Sequence, residues 1–183
     1  MKATSDTHGE ILEMEGIWLH AGDFIPYGIN SREAMLIYEE QFSKADKLFF
    51  VLGNIDDENA VKEVLPSFPN VKLLDNEIVT IRGIKVLGVS RLWERETLDE
   101  LFARADIVLC HIPPFKACDK TFRGENVGDL WLREAILRHK PKLFICGHIH
   151  EAAGSCMLGP TKVLNVAKRI IDVEEELKEV IHS

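Results

Sequence analysis

The chain has 183 residues, 46% of them hydrophobic and 28% charged, which fits one soluble globular domain with a sizeable core and excludes disordered and fibrous classes. A formal net charge of -8 weighs against long nucleic acid and anionic membranes as partners, since both need clustered Lys and Arg. Residues Met1 to Asp6 hold no apolar core of signal-peptide length and no run approaches a membrane span, so a cytoplasmic protein is expected.

Lys2 to Ser5 reads as a short first strand, followed by Asp6-Thr7-His8-Gly9. Gly16 to Ala21 is a second apolar run ending in Gly22-Asp23-Phe24, and His20 inside it is expected to be a satisfied core histidine. From Asn30 the apolar spacing becomes helical: Asn30 and Glu33 can form a capping box, and Ala34, Ile37, Tyr38, Gln41 and Phe42 share a face. This helix is expected to end near Ala45. Lys47 to Leu52 is a buried strand leading into Gly53-Asn54-Ile55-Asp56-Asp57, where Asp56 or Asp57 can cap a helix that runs to about Leu65 before Pro66 and Pro69.

Val71 to Leu74 and Glu77 to Ile81 read as strands, with Arg82-Gly83 a hairpin turn into Ile84 to Val89, so the β-rich middle predicts a second sheet. Arg91 and Trp93 follow, either lining a pocket or in a surface loop. Arg95 to Ala105 is amphipathic helix, and Asp106 to Cys110 is a buried strand ending in His111-Ile112-Pro113-Pro114. Lys116 to Gly128 is a long polar loop carrying Lys120 and Arg123, and loops of this length are often functional. Asp129 caps a helix through His139, and Lys142 to Cys146 is a buried strand before Gly147-His148-Ile149-His150. Thr161 to Val166 is a strand, and Ile170, Val173, Leu177, Val180 and Ile181 mark a helical face on which Glu174 is spaced to pair with Lys178. Cys110 and Cys146 sit in apolar runs as small hydrophobes, while Cys118 and Cys156 are expected as two free thiols in loops.

His148 and His150 stand at i and i+2, so in extended backbone they share a face, and Gly147 leaves that backbone uncrowded. Asp6 and His8 repeat the spacing. Asp23, Asn54 and His111 each follow another apolar strand run, and ligands of open α/β sheets collect beyond such carboxyl ends. These N and O donors exceed the three or four that one zinc-like ion needs and suit two divalent ions sharing a carboxylate. Such a pair clamps a phosphoryl group and acidifies a bridging water so that hydroxide attacks. The reaction class read from this is phosphoester hydrolysis.

Taken in order from residue 6 to 150, Asp6-Thr7-His8, Gly22-Asp23, Gly53-Asn54-Ile55-Asp56, His111 and Gly147-His148-Ile149-His150 resemble the signature of the calcineurin-like metallophosphoesterases. The wording of Ser5-Asp6-Thr7-His8, His20-Ala21-Gly22-Asp23-Phe24 and Asp119-Lys120-Thr121-Phe122-Arg123-Gly124-Glu125 is most similar to the branch of metallophosphoesterase-domain-containing proteins. The resemblance implies an α/β fold, a four-layer α/β/β/α sandwich of two mixed β-sheets flanked by helices, as a single domain over residues 1–183. It implies two divalent metal ions, drawn from Mn, Fe, Zn, Ni and Co. Asp6, His8 and His150 would hold one, Asn54, His111 and His148 the other, and Asp23 would bridge them. Asp23, Asn54, His111 and Asp56 form the catalytic set it suggests.

The substrate expected is a small phosphodiester, cyclic nucleotides included, or a phosphomonoester, with the diester favoured. Lys120 and Arg123 are candidates to touch the phosphate or leaving group, or are simply solvated, and Glu125, Asn126 and Glu151 stand with them. A nuclease is the alternative within hydrolases. A protein-binding scaffold is the alternative outside them, although here every ligand position is filled. Two departures from the family pattern stand out. Ile55 occupies the position where the family often carries a His that touches the substrate or protonates the leaving oxygen, so esters needing little leaving-group protonation, such as aryl phosphodiesters, or another proton source are expected. The run between His8 and Gly22 is too short for a crossover helix and a strand, which leaves one sheet face less covered and raises a homodimer across it as an expectation.

Overall fold

The computed structural model describes residues 1–90 and 92–181. Arg91 therefore lies outside the described residues. In chain order the elements are β1 (Lys2–Thr4), β2 (Met14–His20), α1 (Ser31–Ser43), β3 (Ala45–Phe50), α2 (Glu58–Val64), β4 (Val71–Leu73), β5 (Glu77–Ile81) and β6 (Ile84–Val89). They continue with α3 (Arg95–Phe102), β7 (Ile107–Cys110), α4 (Leu130–His139), β8 (Leu143–Cys146), β9 (Gly154–Leu158), β10 (Thr161–Asn165), β11 (Ile171–Asp172) and α5 (Val173–Ile181).

One sheet runs β11-β1-β2-β3-β4 and the other β5-β6-β7-β8-β10-β9. Both are mixed: β1 to β4 are parallel with β11 antiparallel at the edge, and β6, β7, β8 and β10 are parallel between antiparallel β5 and β9. The central strands are apolar on both faces because each face has its own layer to meet. Leu19 and Phe49 from the first sheet, with Val51 just beyond β3, pack with Ile107, Leu109, Leu143 and Ile145 from the second. Their neighbours alternate outward, as period-two strands require. Trp18, Leu48 and Phe50 join Tyr38 and Phe42 of α1 and Val61 of α2. Val108, Cys110, Phe144 and Cys146 join Leu98 and Phe102 of α3 and Leu132 and Ile136 of α4. The result is the expected four-layer arrangement of two mixed sheets flanked by helices.

Local caps place the helices where the sequence put them. Asn30 and Glu33 form the reciprocal capping box, Asp57 accepts from the N–H groups of Asn59 and Ala60, and Asp129 accepts from Leu132. Several boundaries differ because strand pairing, not propensity, decides them. α1 stops at Ser43, since Ala45 already pairs with Met14 as the start of β3. α5 begins at Val173 because Ile171 and Asp172 pair with Ala3 and Lys2, and Glu174 bonds Arg82 and the N-terminal amine. β9 was not legible in the sequence. β1 leads to β2 through residues 5–13 with no helix, as the short run predicted.

Cys110 and Cys146 are fully buried, as expected. Cys118 and Cys156 are free thiols, as expected, with Cys156 in β9 rather than a loop and the two Sγ atoms 2.8 Å apart. Among the described residues, no helix is long and apolar enough to cross a membrane.

Candidate metal centre

The ends of β1, β2, β3, β7 and β8 point to one side of the molecule, and the residues after them carry every expected ligand. The chain leaves three of these strands through left-handed turns at the donors themselves. φ is 59° at Asp6, 47° at His8, 59° at Asp23 and 70° at His148, a conformation that costs a non-glycine residue about 1–2 kcal/mol. Such outliers persist only where surrounding contacts over-determine them. Here Asp6 N–H donates to Gly22 O at 2.9 Å and His8 N–H to Asp23 O at 3.2 Å.

Two donor groups result, each with all three ligand atoms within 4.8 Å of one another. In the first, His150 Nε2 lies 3.0 Å from Asp6 Oδ1 and 3.1 Å from His8 Nε2, and His8 Nε2 lies 3.8 Å from Asp6 Oδ1. Donors about 2.1 Å from a shared ion would stand roughly 3.0–3.4 Å apart, which both His150 spacings match and the His8–Asp6 spacing slightly exceeds. His8 Nδ1 sits 3.2 Å from the Ile25 carbonyl, which can only accept, so Nδ1 carries the proton and Nε2 keeps its lone pair for the site.

In the second group His111 Nε2 lies 3.3 Å from Asp23 Oδ2, 3.2 Å from His148 Nδ1 and 2.9 Å from Asn54 Oδ1. His111 Nδ1 donates to the Ala21 carbonyl at 2.8 Å, the same orienting device as at His8. Burial disfavours the charged form of His111, yet its hydrogen bond and attraction to Asp23 outweigh that and hold its pKa above the usual value. Burial likewise opposes ionisation of Asp23, but His111 pulls its pKa below the usual range. Burial, then repulsion from His111, lowers the pKa of His148.

The groups are joined by the loop after β8. His148 places its ring in the second group while its backbone N–H donates to Asp6 Oδ2 in the first, at 3.0 Å. Glycines make the fit: a Cβ on Gly147 would stand 2.1 Å from Asp6 Oδ2, and one on Gly53 2.0 Å from Asp23 Oδ1.

Asp56 takes a different place from the donors. Its oxygens accept from the N–H groups of Asp23, Phe24 and Gly53 at 2.7, 2.9 and 2.8 Å and from the Tyr38 hydroxyl at 3.0 Å, which ties the β2 loop to the β3 loop. Burial raises its pKa against the lowering effect of those bonds. Ile55 packs into the apolar layer beneath α1 and α2 and gives only its N–H to the site, 3.2 Å from Asp23 Oδ1. His20 is the core histidine expected: its Nδ1 accepts from Gly22 N at 3.1 Å, Nε2 meets Thr7 Oγ1 at 3.3 Å, and the ring stacks on Phe24 at 3.7 Å.

Lys120 and Arg123 are exposed on a loop whose tip is held beside His150 by Glu151, which accepts from Phe122 N at 3.0 Å. Glu125 closes that loop, accepting from Thr121 N, and Asn126 bridges to Lys120. Trp93 is exposed and lines a recess with Gly53 and Asp56. Tyr27 is a residue the sequence reading missed: it is exposed and its ring stacks on His8, centroids 6.0 Å apart and planes 26° apart. No period or motif marked it.

A family model described as calcineurin-like phosphoesterase matches residues 3–152, and so covers every donor above. The chain belongs to the calcineurin-like phosphoesterase family. A UPF0046 protein of Caenorhabditis elegans is 26% identical over 90% of this chain and 68% of its own length, and a second is 26% identical over 52% and 28%. Among solved structures, TT1561 of Thermus thermophilus shares the fold at a TM-score of 0.70 and 16% identity, covering 96% of this chain and 94% of that one. A novel archaeal phosphodiesterase aligns at a TM-score of 0.51 and 19% identity, with 96% of both chains covered.

Proposed function

We propose that this phosphoesterase-family chain hydrolyses small phosphodiesters with two divalent metal ions. Its carrying observation is the pair of three-donor groups, Asp6-His8-His150 and Asp23-His111-His148, linked by the His148 N–H to Asp6. The donor chemistry fits Mn, Fe, Zn, Ni or Co, because imidazoles and carboxylates suit these borderline ions and no thiolate is present in either group. Asp6, His8 and His150 would hold one ion and Asn54, His111 and His148 the other, with Asp23 between them. Bound there, the ions supply Lewis acidity to phosphoryl oxygens and acidify water.

The chain's own groups do the rest. Nδ1–H bonds to Ile25 and Ala21 orient the His8 and His111 rings with Nε2 turned inward. Asp56 fixes Gly53 against Asp23 and Phe24. The diester is favoured over the monoester because Ile55 offers no proton to a departing oxygen, and the archaeal structure of similar fold is called a phosphodiesterase. A scaffold role is disfavoured because every donor position is filled.

Protein stripped with chelator and reloaded with Mn²⁺, Ni²⁺, Co²⁺ or Mg²⁺ tests the reading. Two ions per chain and metal-dependent cleavage of bis(p-nitrophenyl) phosphate or a cyclic nucleotide, exceeding that of p-nitrophenyl phosphate, are expected. One ion or none, or no metal-dependent turnover of any ester, would overturn it.

A further inference from the structure

Beside the second donor group lies a recess of about 170 Å³ lined by His111 and Asn54 together with Leu52, Val89, Leu92 and Ile112. An apolar cavity of ~150 Å³ holds one benzene ring, so the volume matches a single six-membered ring. Ser90, also in the lining, has its polar groups engaged elsewhere: the hydroxyl donates to the Leu74 carbonyl at 2.9 Å and the N–H to Asn76 Oδ1 at 3.0 Å. The recess continues past Leu52, Gly53 and Ser90 to the exposed ring of Trp93. This largely apolar surface opens directly onto two candidate metal ligands, and among the described residues nothing fills it. A second observation is independent of it. Ile55, partly buried against the layer under α1 and α2, stands where the family pattern often has a His, so that position holds no acid for the leaving oxygen.

We propose that this recess seats the aromatic ring of an aryl phosphodiester, so that the ester oxygen on that ring is the one that departs. The idea rests on the proposed phosphodiesterase reading and narrows its substrate class. In the reaction the bond between phosphorus and the aryl oxygen breaks, the oxygen of a water joins phosphorus, and the bonding pair leaves on the phenolate. The water's protons end on solvent and on the phenol, and the other product is a phosphomonoester. A phenolic oxygen, with a pKa of about 10 for a tyrosine-like phenol, leaves without a positioned acid far more readily than an alkoxide. The apolar walls and the absent acid therefore select the same leaving group.

The test compares phenylphosphonate with methylphosphonate binding to the Mn²⁺-loaded full chain by calorimetry, and aryl alkyl with dialkyl phosphodiesters as substrates. Burial of one ring should give phenylphosphonate an advantage of about 10- to 100-fold in Kd. Leu92→Trp, which fills the recess, should remove most of that advantage and raise KM for the aryl ester more than it lowers kcat. Leu92→Ala, which widens it, should weaken the advantage less. Equal binding of the two phosphonates by the unaltered chain, or a preference untouched in both Leu92 variants, would overturn the assignment. Cleavage of diesters without an aryl preference sinks the recess alone. Binding of neither phosphonate together with no metal-dependent cleavage sinks the phosphodiesterase reading as well.

Discussion

The backbone N–H of His148 donates to the carboxylate of Asp6 at 3.0 Å, and this bond ties the end of β8 to the end of β1 and one donor group to the other. The approach depends on Gly147, whose missing Cβ leaves room for Asp6 Oδ2 and Ser5 Oγ, both 2.1 Å from where that atom would lie. Gly147→Ala keeps every donor but pushes the carboxylate out of line. Metal affinity, read by calorimetric titration of chelator-stripped protein, should fall by about 10- to 100-fold, the usual cost of disturbing the shell around a ligand. Unchanged affinity would show that the Asp6 position tolerates displacement.

Removing donors should act on turnover more than on the fold. His148→Ala and Asp23→Asn are each expected to lower turnover of a metal-dependent diester by more than about 100-fold, with far-ultraviolet circular dichroism nearly unchanged. Full activity in either variant would contradict the donor assignments.

Tyr38 bonds both neighbours at the β3 loop: its hydroxyl donates to Asp56 Oδ1 and accepts from Asp57 N, each at 3.0 Å. Tyr38→Phe removes both bonds and leaves Asp56 with three donors. Urea unfolding should show a loss of about 1–3 kcal/mol, because the polar groups left behind are already desolvated. A loss well under 1 kcal/mol would mean that water replaces the hydroxyl there.

His20 sets a pH dependence. Burial first, then repulsion from His111, lowers its pKa from 6.5 to about 3, while the unfolded chain keeps the ordinary value. Between these limits the unfolded state binds the extra proton, so the stability contributed by neutral His20 is present above pH 6.5 and is lost as pH falls toward 3. In the chelator-stripped protein, His20→Gln should flatten the slope of unfolding free energy against pH across that window by up to about 1.4 kcal/mol per pH unit. An identical slope in both proteins would show that His20 does not titrate on unfolding.

The donors were legible in the sequence because each follows a run of buried strand residues, and Asp6, His8, His148 and His150 also carry the i, i+2 spacing. What they do together is a matter of long-range pairing, and pairing leaves weaker traces. β11 could be recognised only once β1 was there to meet it, and β9 only once β10 was. Asp56 reads in the motif as one more carboxylate of the site, yet its role is fixed by four donors from three segments. Cys118 and Cys156 stand 38 residues apart in loop-like sequence and meet only because the long loop folds back against β9. Tyr27 and the walls of the apolar recess are surfaces that form where separate loops meet, and no single stretch announces them.

The left-handed backbone at Asp6, His8, Asp23 and His148 is held by hydrogen bonds of the protein itself, from main-chain N–H groups to the Gly22 and Asp23 carbonyls and to the Asp56 and Asp6 carboxylates. Uptake of a divalent ion then asks little rearrangement of the polypeptide, so its speed should follow how quickly each ion sheds its hydration water. Slow-exchanging Ni²⁺ should enter later than Mn²⁺, with scant accompanying change in the amide spectrum.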